Sequence, residues 1–161
     1  MVRELSYTTI SHVLDSWEEV RRIKNFEETV GTILFQNLFK KSPQAKVLFG
    51  FPINIDTDSH ELLTSKRFLM HAAYLVQMLD TALNMVGPDI ELLTEIMLEL
   101  GAKHVRYGVK AEMFPVMGDA IVEALRITLR EKFTTTIEEA WIETFDELSG
   151  DMVRGMALSK R

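Results

Sequence analysis

The sequence predicts an all-α fold in a single domain. Apolar residues recur at intervals of three and four almost from end to end, which is the period of a helix, and no convincing alternating strand pattern is present. A length of 161 residues is typical of one domain, and the chain contains no repeat, low-complexity tract or linker. We therefore expect residues 1–161 to form one domain of about seven or eight helices.

The composition disfavours several classes of function. The 24 acidic and 18 basic residues give a net charge of −6, which argues against nucleic acid or an anionic membrane as a partner. The absence of cysteine excludes disulfides and thiolate metal sites. The longest uncharged apolar run, residues 68–79, is shorter than the roughly 20 residues that span a membrane. The N-terminal residues lack an apolar signal core, so we expect a cytoplasmic protein.

The first half of the chain shows two apolar stripes, a loop and a short helix. Thr8 or Thr9 is the expected N-cap of the first stripe. The second stripe ends at Ser42 and Pro43, where a short helical turn begins. Gly, Pro, Asn and Asp residues after this turn predict a loop that leads into a short helix. In order, the stripes, the loop and the short helix cover residues 10–20, 26–38, 50–58 and 58–63.

The second half of the chain shows four more helical stripes. The first of them ends at the MVGPD segment, residues 85–89, and the second stops at Gly108. Thr135 and Glu138 have the spacing of a capping box and are predicted to begin the last helix. The four stripes cover residues 68–83, 93–104, 114–125 and 137–152.

Two of the four histidines interrupt apolar stripes on separate helices. His12 and His60 lie off such stripes and are expected to be solvated, whereas His71 and His104 lie on them. One such histidine is usually a core residue bonded to a carbonyl. Two of them, on consecutive helices, favour a metal between two imidazoles. No third His, Asp or Glu shares these faces, which disfavours zinc and favours haem, whose macrocycle supplies the remaining ligands.

Four motifs carry a resemblance to a known family. They are GTILFQNLFKKSP (31–43), LF (48–49), SKRFLMHAAYLVQMLD (65–80) and LGAKHVRYGVKAEMF (100–114). In order and spacing they resemble the globins, and the neuroglobin-like branch more closely than the carriers of muscle and blood. The likeness covers essentially the whole chain. It implies a globin fold around a pocket for haem b.

The resemblance implies a role for each matching residue. His104 matches the proximal iron ligand, and its second ring nitrogen needs an acceptor, for which we expect the carbonyl of Leu100. His71 matches the distal histidine, which would donate a hydrogen bond to the gas ligand or bind the iron itself as a sixth ligand. The apolar pocket positions are Phe35, Phe49, Leu75, Val109 and Phe114.

At Tyr74 the sequence departs from the family pattern. Globins often have Lys or Arg at this position to pair with a haem propionate, and a tyrosine supplies no positive charge. The nearby residues that would take this role are Arg67, Arg106, Tyr107 and Lys110.

The function implied is reversible binding of O2, and of CO and NO, for storage, transport or sensing. The alternative is nitric oxide dioxygenase or nitrite reductase activity, which would require an external reductase as a partner. A third hypothesis is an all-α interaction domain without a cofactor. We expect a monomer or a weak homo-oligomer.

Overall fold

The part of the chain that the structure describes contains eight α-helices and one short 3-10 helix, joined by loops. The computed structural model describes residues 5–159, and these contain no β-strand. The predicted all-α fold of seven or eight helices is confirmed. None of the helices in these residues is long and apolar enough to cross a membrane. In chain order they are α1 (Tyr7–Arg21), α2 (Phe26–Lys41), α3 (Ala45–Leu48), α4 (His60–Leu63), α5 (Lys66–Met85), α6 (Ile90–Arg106), α7 (Met113–Leu129), the 3-10 helix (Arg130–Lys132) and α8 (Thr135–Ser159).

The start of α1 corrects one sequence prediction. Ser6 is the N-cap, and its hydroxyl accepts a hydrogen bond of 3.1 Å from the backbone N–H of Thr9. Thr8 and Thr9 themselves lie inside the helix. The short helix predicted over 58–63 is also shorter at its start, because Ser59 caps α4. In both places several polar residues are adjacent, and only the backbone conformation selects the cap.

The predicted capping box of α8 is wrong by one residue. The hydroxyl of Thr134, not that of Thr135, accepts a hydrogen bond of 3.3 Å from the backbone N–H of Ile137. The carboxylate of Glu138 does not reach back to the helix start and instead accepts from the guanidinium of Arg126. A tertiary ion pair between α7 and α8 therefore replaces the local box.

Two tryptophans anchor the main core. Trp17 of α1 and Trp141 of α8 are each 2% exposed, and their ring centroids lie 5.7 Å apart. Each indole N–H has an acceptor: Trp17 donates to the carboxylate of Asp80 at 2.7 Å, and Trp141 donates to the hydroxyl of Ser16 at 2.8 Å. Because a buried indole N–H without a partner is costly, these bonds fix α1 against both α5 and α8.

Two tight helix crossings hold α5 and α6 against different helices, and the region between His71 of α5 and His104 of α6 is called the α5–α6 crevice below. Helix α5 packs chiefly on α2 and α6 chiefly on α8, whereas α5 and α6 have few contacts with each other. A Cβ on Gly31 of α2 would collide with the carbonyl of Ala72 in α5, and one on Gly101 of α6 would collide with the carbonyl of Met152 in α8. Each helix is thus held against its own partner, and the faces that carry His71 and His104 are not packed on one another.

Candidate functional site

A hydrogen bond fixes the imidazole of His104 in the last turns of α6. The Nδ1 atom lies 2.7 Å from the carbonyl oxygen of Leu100, the acceptor expected one turn earlier. Because a carbonyl only accepts, Nδ1 carries the proton, and the lone pair of Nε2 is available to a metal. The ring is flanked by Tyr107 and Phe114, whose ring centroids lie 5.6 and 5.7 Å from that of His104.

The turn after α6 contacts the end of α3. Gly108 has a φ of +85°, a left-handed conformation that side chains rarely adopt, and α6 ends just before it. The N–H of Val109 then donates a hydrogen bond of 3.1 Å to the carbonyl of His104. The side chain of Leu48 lies 3.4 Å from the position that a Cβ on Gly108 would occupy. The end of α3 therefore meets the turn that follows the histidine helix.

The imidazole of His71 in α5 packs against an aromatic ring. The ring of Phe49 lies edge-on to it with centroids 5.2 Å apart, and the buried ring of Phe35 lies 4.9 Å behind Phe49. No hydrogen bond to His71 is present within residues 5–159. Burial lowers the pKa of His71 below its ordinary value, and the charge of Arg67 lowers the pKa further. His71 is therefore neutral at pH 7, with one ring nitrogen free of a proton.

Two consecutive residues contact the ring of His71 and the turn that follows His104. Leu48, which contacts Gly108, directly precedes Phe49, which contacts His71. Within the described residues no group of three or more His, Cys, Asp or Glu side chains could hold a metal ion. The nitrogen donors of this region are thus two histidines without carboxylate or thiolate partners. Such a pair suits a metal that brings its own equatorial ligands.

The structure divides the predicted site residues into two connected sets and three residues outside them. The distal set is connected by ring contacts and consists of Phe35, Phe49 and His71. The proximal set is connected by ring contacts and hydrogen bonds and consists of Leu100, His104, Val109 and Phe114. Leu75 lies on α5 and packs against the main core. Tyr74, which is 63% exposed, and Arg106, which is exposed, form no hydrogen bond or ring contact with either histidine.

Two residues with a structural role at this site were not among the predicted pocket residues. Gly31 and Gly101 let α2 and α8 approach the backbones that carry His71 and His104. An isolated glycine within an apolar helical stripe is the signal that marks such a crossing, since glycine otherwise weakens a helix. The sequence does not show which helix approaches.

Comparison with known proteins shows the family of this chain. The family model described as Globin matches residues 32–152, which include His71, His104 and Gly101. The chain belongs to the globin family. Among its relatives, the neuroglobin of Danio rerio is 30% identical over 145 residues, 90% of this globin and 88% of that protein. The neuroglobin of Tetraodon nigroviridis is 30% identical over 127 residues, 79% of each chain. The likeness to neuroglobins predicted from the motifs is confirmed.

A solved structure supports the fold of this globin independently. The hexacoordinated heme protein from an anhydrobiotic tardigrade, in a crystal structure at pH 4, has a TM-score of 0.84. The alignment covers 95% of this globin and 96% of that chain, at 21% sequence identity. At this identity the likeness shows the fold alone. Membership of the globin family supports haem as the cofactor and diatomic gases as the ligands.

Proposed function

We propose that this globin binds haem b through His104, in the crevice between α5 and α6, and that it binds O2 and other diatomic gases reversibly. The observation that carries the proposal is the hydrogen bond of 2.7 Å between Nδ1 of His104 and the carbonyl of Leu100. It fixes the tautomer and the orientation of the ring, and it increases the basicity of Nε2. A core histidine can make the same bond, so the proposal also depends on the second histidine, His71 of α5, and on membership of the globin family.

The residues of the crevice fit haem and fit bare metal ions poorly. A zinc site requires three or four close donors, and the described residues offer no such group. Haem, when bound, supplies the iron that binds O2, CO and NO. His104 would hold the haem through its Nε2 nitrogen, and the apolar rings of Phe35, Phe49 and Phe114 would keep water from it. Val109 and Leu75 extend this apolar lining.

His71 has two roles in the proposal. In the gas-free state its unprotonated ring nitrogen would be a sixth ligand of the iron, which its lowered pKa and the lack of a competing hydrogen bond in residues 5–159 favour. With a gas ligand present, the N–H of the ring would donate a hydrogen bond to it. The tardigrade protein with the same fold is described as hexacoordinated, which is consistent with this proposal.

The residues that would hold the haem propionates are proposed from their exposure alone. Tyr74 and Arg106, with Arg67, Tyr107 and Lys110, reach solvent and are the candidates to hold the haem propionates. A single domain over residues 1–161, a cytoplasmic location, a monomeric or weakly oligomeric state and an external reductase stay predictions. The dioxygenase and nitrite reductase alternative would use the same two histidines, and no separate observation favours it.

The test is haem binding by matched histidine variants. The protein reconstituted with haem is expected to show an intense Soret band, and His104→Ala to lose stable haem binding. His60→Ala, a change of the same kind at an exposed histidine of α4, is expected to bind haem like the unchanged protein. In the ferrous state, CO and O2 should each shift the spectrum reversibly. A His104→Ala variant with an unchanged spectrum would refute the proximal assignment.

A further inference from the structure

Helices α6 and α8 meet through two glycines in a reciprocal contact. A Cβ on Gly101 of α6 would collide with the backbone carbonyl of Met152 in α8. A Cβ on Gly155 of α8 would collide in turn with the backbone carbonyl of Leu98 in α6. Each helix thus places a backbone carbonyl against a glycine of the other. A contact of backbone on backbone has less freedom to adjust than one between flexible side chains.

This crossing lies directly behind the hydrogen bond that orients the proximal imidazole. Leu98 and Gly101, the two α6 residues in the contact, bracket Leu100, whose carbonyl accepts from His104. Movement of residues 98–101 therefore moves the acceptor of that hydrogen bond. Leu93 and Met97 of α6 and Leu148 of α8 belong to the same buried cluster, so the rest of the interface resists rotation of α6.

We propose that α8 is a positioning element for the iron ligand, and that Gly155 sets the place and the donor strength of His104 without contacting the haem. The inference rests on the proposed function. Gly155 is buried against α6, and its effect passes through the carbonyl of Leu98 to the segment that holds Leu100. A methyl group at position 155 would displace this segment and weaken the bond from Nδ1 to the carbonyl. A weaker bond makes Nε2 a weaker ligand.

The experiment compares two glycines of the same helix. Gly150, also in α8, has no atom within 4 Å of the position of its Cβ, so Gly150→Ala adds the same methyl group without a collision. Both substitutions are made in the haem-loaded His71→Leu protein, in which only His104 can bind the iron axially. The resonance Raman band of the iron–histidine stretch is measured in the gas-free ferrous state, and the rate of haem loss is measured by transfer to an excess of acceptor apoprotein.

Gly155→Ala is expected to lower the frequency of the iron–histidine band and to speed haem loss by about 10- to 100-fold, the usual effect of disturbing a partner of a metal ligand. Gly150→Ala is expected to change neither. Val13→Ala removes buried volume from α1 in the main core and lowers stability without contacting α6, so it should leave the band in place. If Gly155→Ala does not fold by circular dichroism, Met152→Ala removes a side chain that packs on the cluster between α6 and α8, adds no atom to the crossing and should also lower the band.

The outcomes separate this inference from the proposed function. If the parent protein shows no Soret band, the proposed function is wrong and the inference is wrong with it. If the parent binds haem but the band of Gly155→Ala, or of Met152→Ala in its place, coincides with that of Gly150→Ala, only the inference is wrong. A band that moves equally in Val13→Ala would show a general effect of stability and would also overturn it.

Discussion

The two histidines of the crevice are held in different ways. The imidazole of His104 is fixed by a hydrogen bond of 2.7 Å to Leu100 within its own helix. The imidazole of His71 has only the edge contact with Phe49, at 5.2 Å between centroids, and no hydrogen bond within residues 5–159. The fixed ring of His104 suits the permanent ligand that we propose. If the ring of His71 moved aside it would give up no hydrogen bond in the described residues, which suits the exchangeable ligand that we propose.

The largest effect that we expect separates the two histidines by haem affinity. His104→Gly should weaken haem binding by about 100-fold or more, because loss of a ligand exceeds the 10- to 100-fold typical of its partners. His71→Gly should retain haem, since His104 remains. Haem transfer to an acceptor apoprotein measures both. Free imidazole added to His104→Gly should restore binding, and equal haem loss by the two variants would contradict the different roles proposed for them.

The next effect concerns release of the distal ring. His71→Leu should convert the gas-free ferrous protein from six-coordinate to five-coordinate and raise the apparent affinity for CO by about tenfold or more. The reason is that the apparent affinity is reduced by the fraction of protein in the binding-competent state. The ferrous absorption spectrum and CO titration measure this change. If the unchanged protein is already five-coordinate and its CO affinity equals that of His71→Leu, the sixth-ligand role is wrong.

A smaller effect is expected at the crossing behind His71. Gly31→Ala would force a Cβ into the carbonyl of Ala72 and should lower the free energy of unfolding by about 1–3 kcal/mol. Because Ala72 follows His71, the rate of CO binding should change as well, whereas the iron–histidine band of His104 should not. Urea unfolding and flash photolysis measure the two properties. Gly150→Ala is the control, and a shift of the iron–histidine band in Gly31→Ala would contradict the independence of the two sides.

The effect that we expect to be smallest at the haem site lies in α8. The carboxyl of Asp151 is 2% exposed and pairs with Arg154 at 2.9 Å. Burial, and secondarily the charge of Glu147, raises the pKa of Asp151 from 3.8 to about 6. The folded protein therefore holds this proton more tightly than the unfolded chain does. The stability gained from this proton is complete below pH 3.8 and is lost as the pH rises through about 6.

Asp151→Asn removes this pH dependence. At pH 7.5 we expect the free energy of unfolding to rise by about 1–3 kcal/mol, with little change at about pH 4, where the carboxyl is protonated in the folded state. Urea unfolding at the two pH values measures the difference, and the iron–histidine band should stay in place. An equal gain at both values would show that charge burial at Asp151 is not the cause.

Much of the fold could be predicted because helices are encoded by a local period. The apolar stripes located the long helices, and the glycine and proline segments located most of their ends. The predicted caps of α1 and α8 were wrong because the actual caps, Ser6 and Thr134, have neighbouring hydroxyl residues of the same chemistry. The predicted capping role of Glu138 was wrong for a different reason, since its partner Arg126 lies on another helix. Local patterns carry no information about such a neighbour.

By itself, the sequence determined the all-α fold, the two histidines on apolar faces and a donor set without cysteine. It also led to the globin family, and it named Leu100 as the acceptor because residues four apart in a helix are neighbours. Only the tertiary structure decided that Gly31 and Gly101 lie at helix crossings and that Leu48 contacts Gly108. It also decided that His71 has no hydrogen bond in the described residues. The physical reason is distance along the chain. A contact within one helical turn depends only on a short segment of sequence, whereas a contact between helices depends on how all the helices pack.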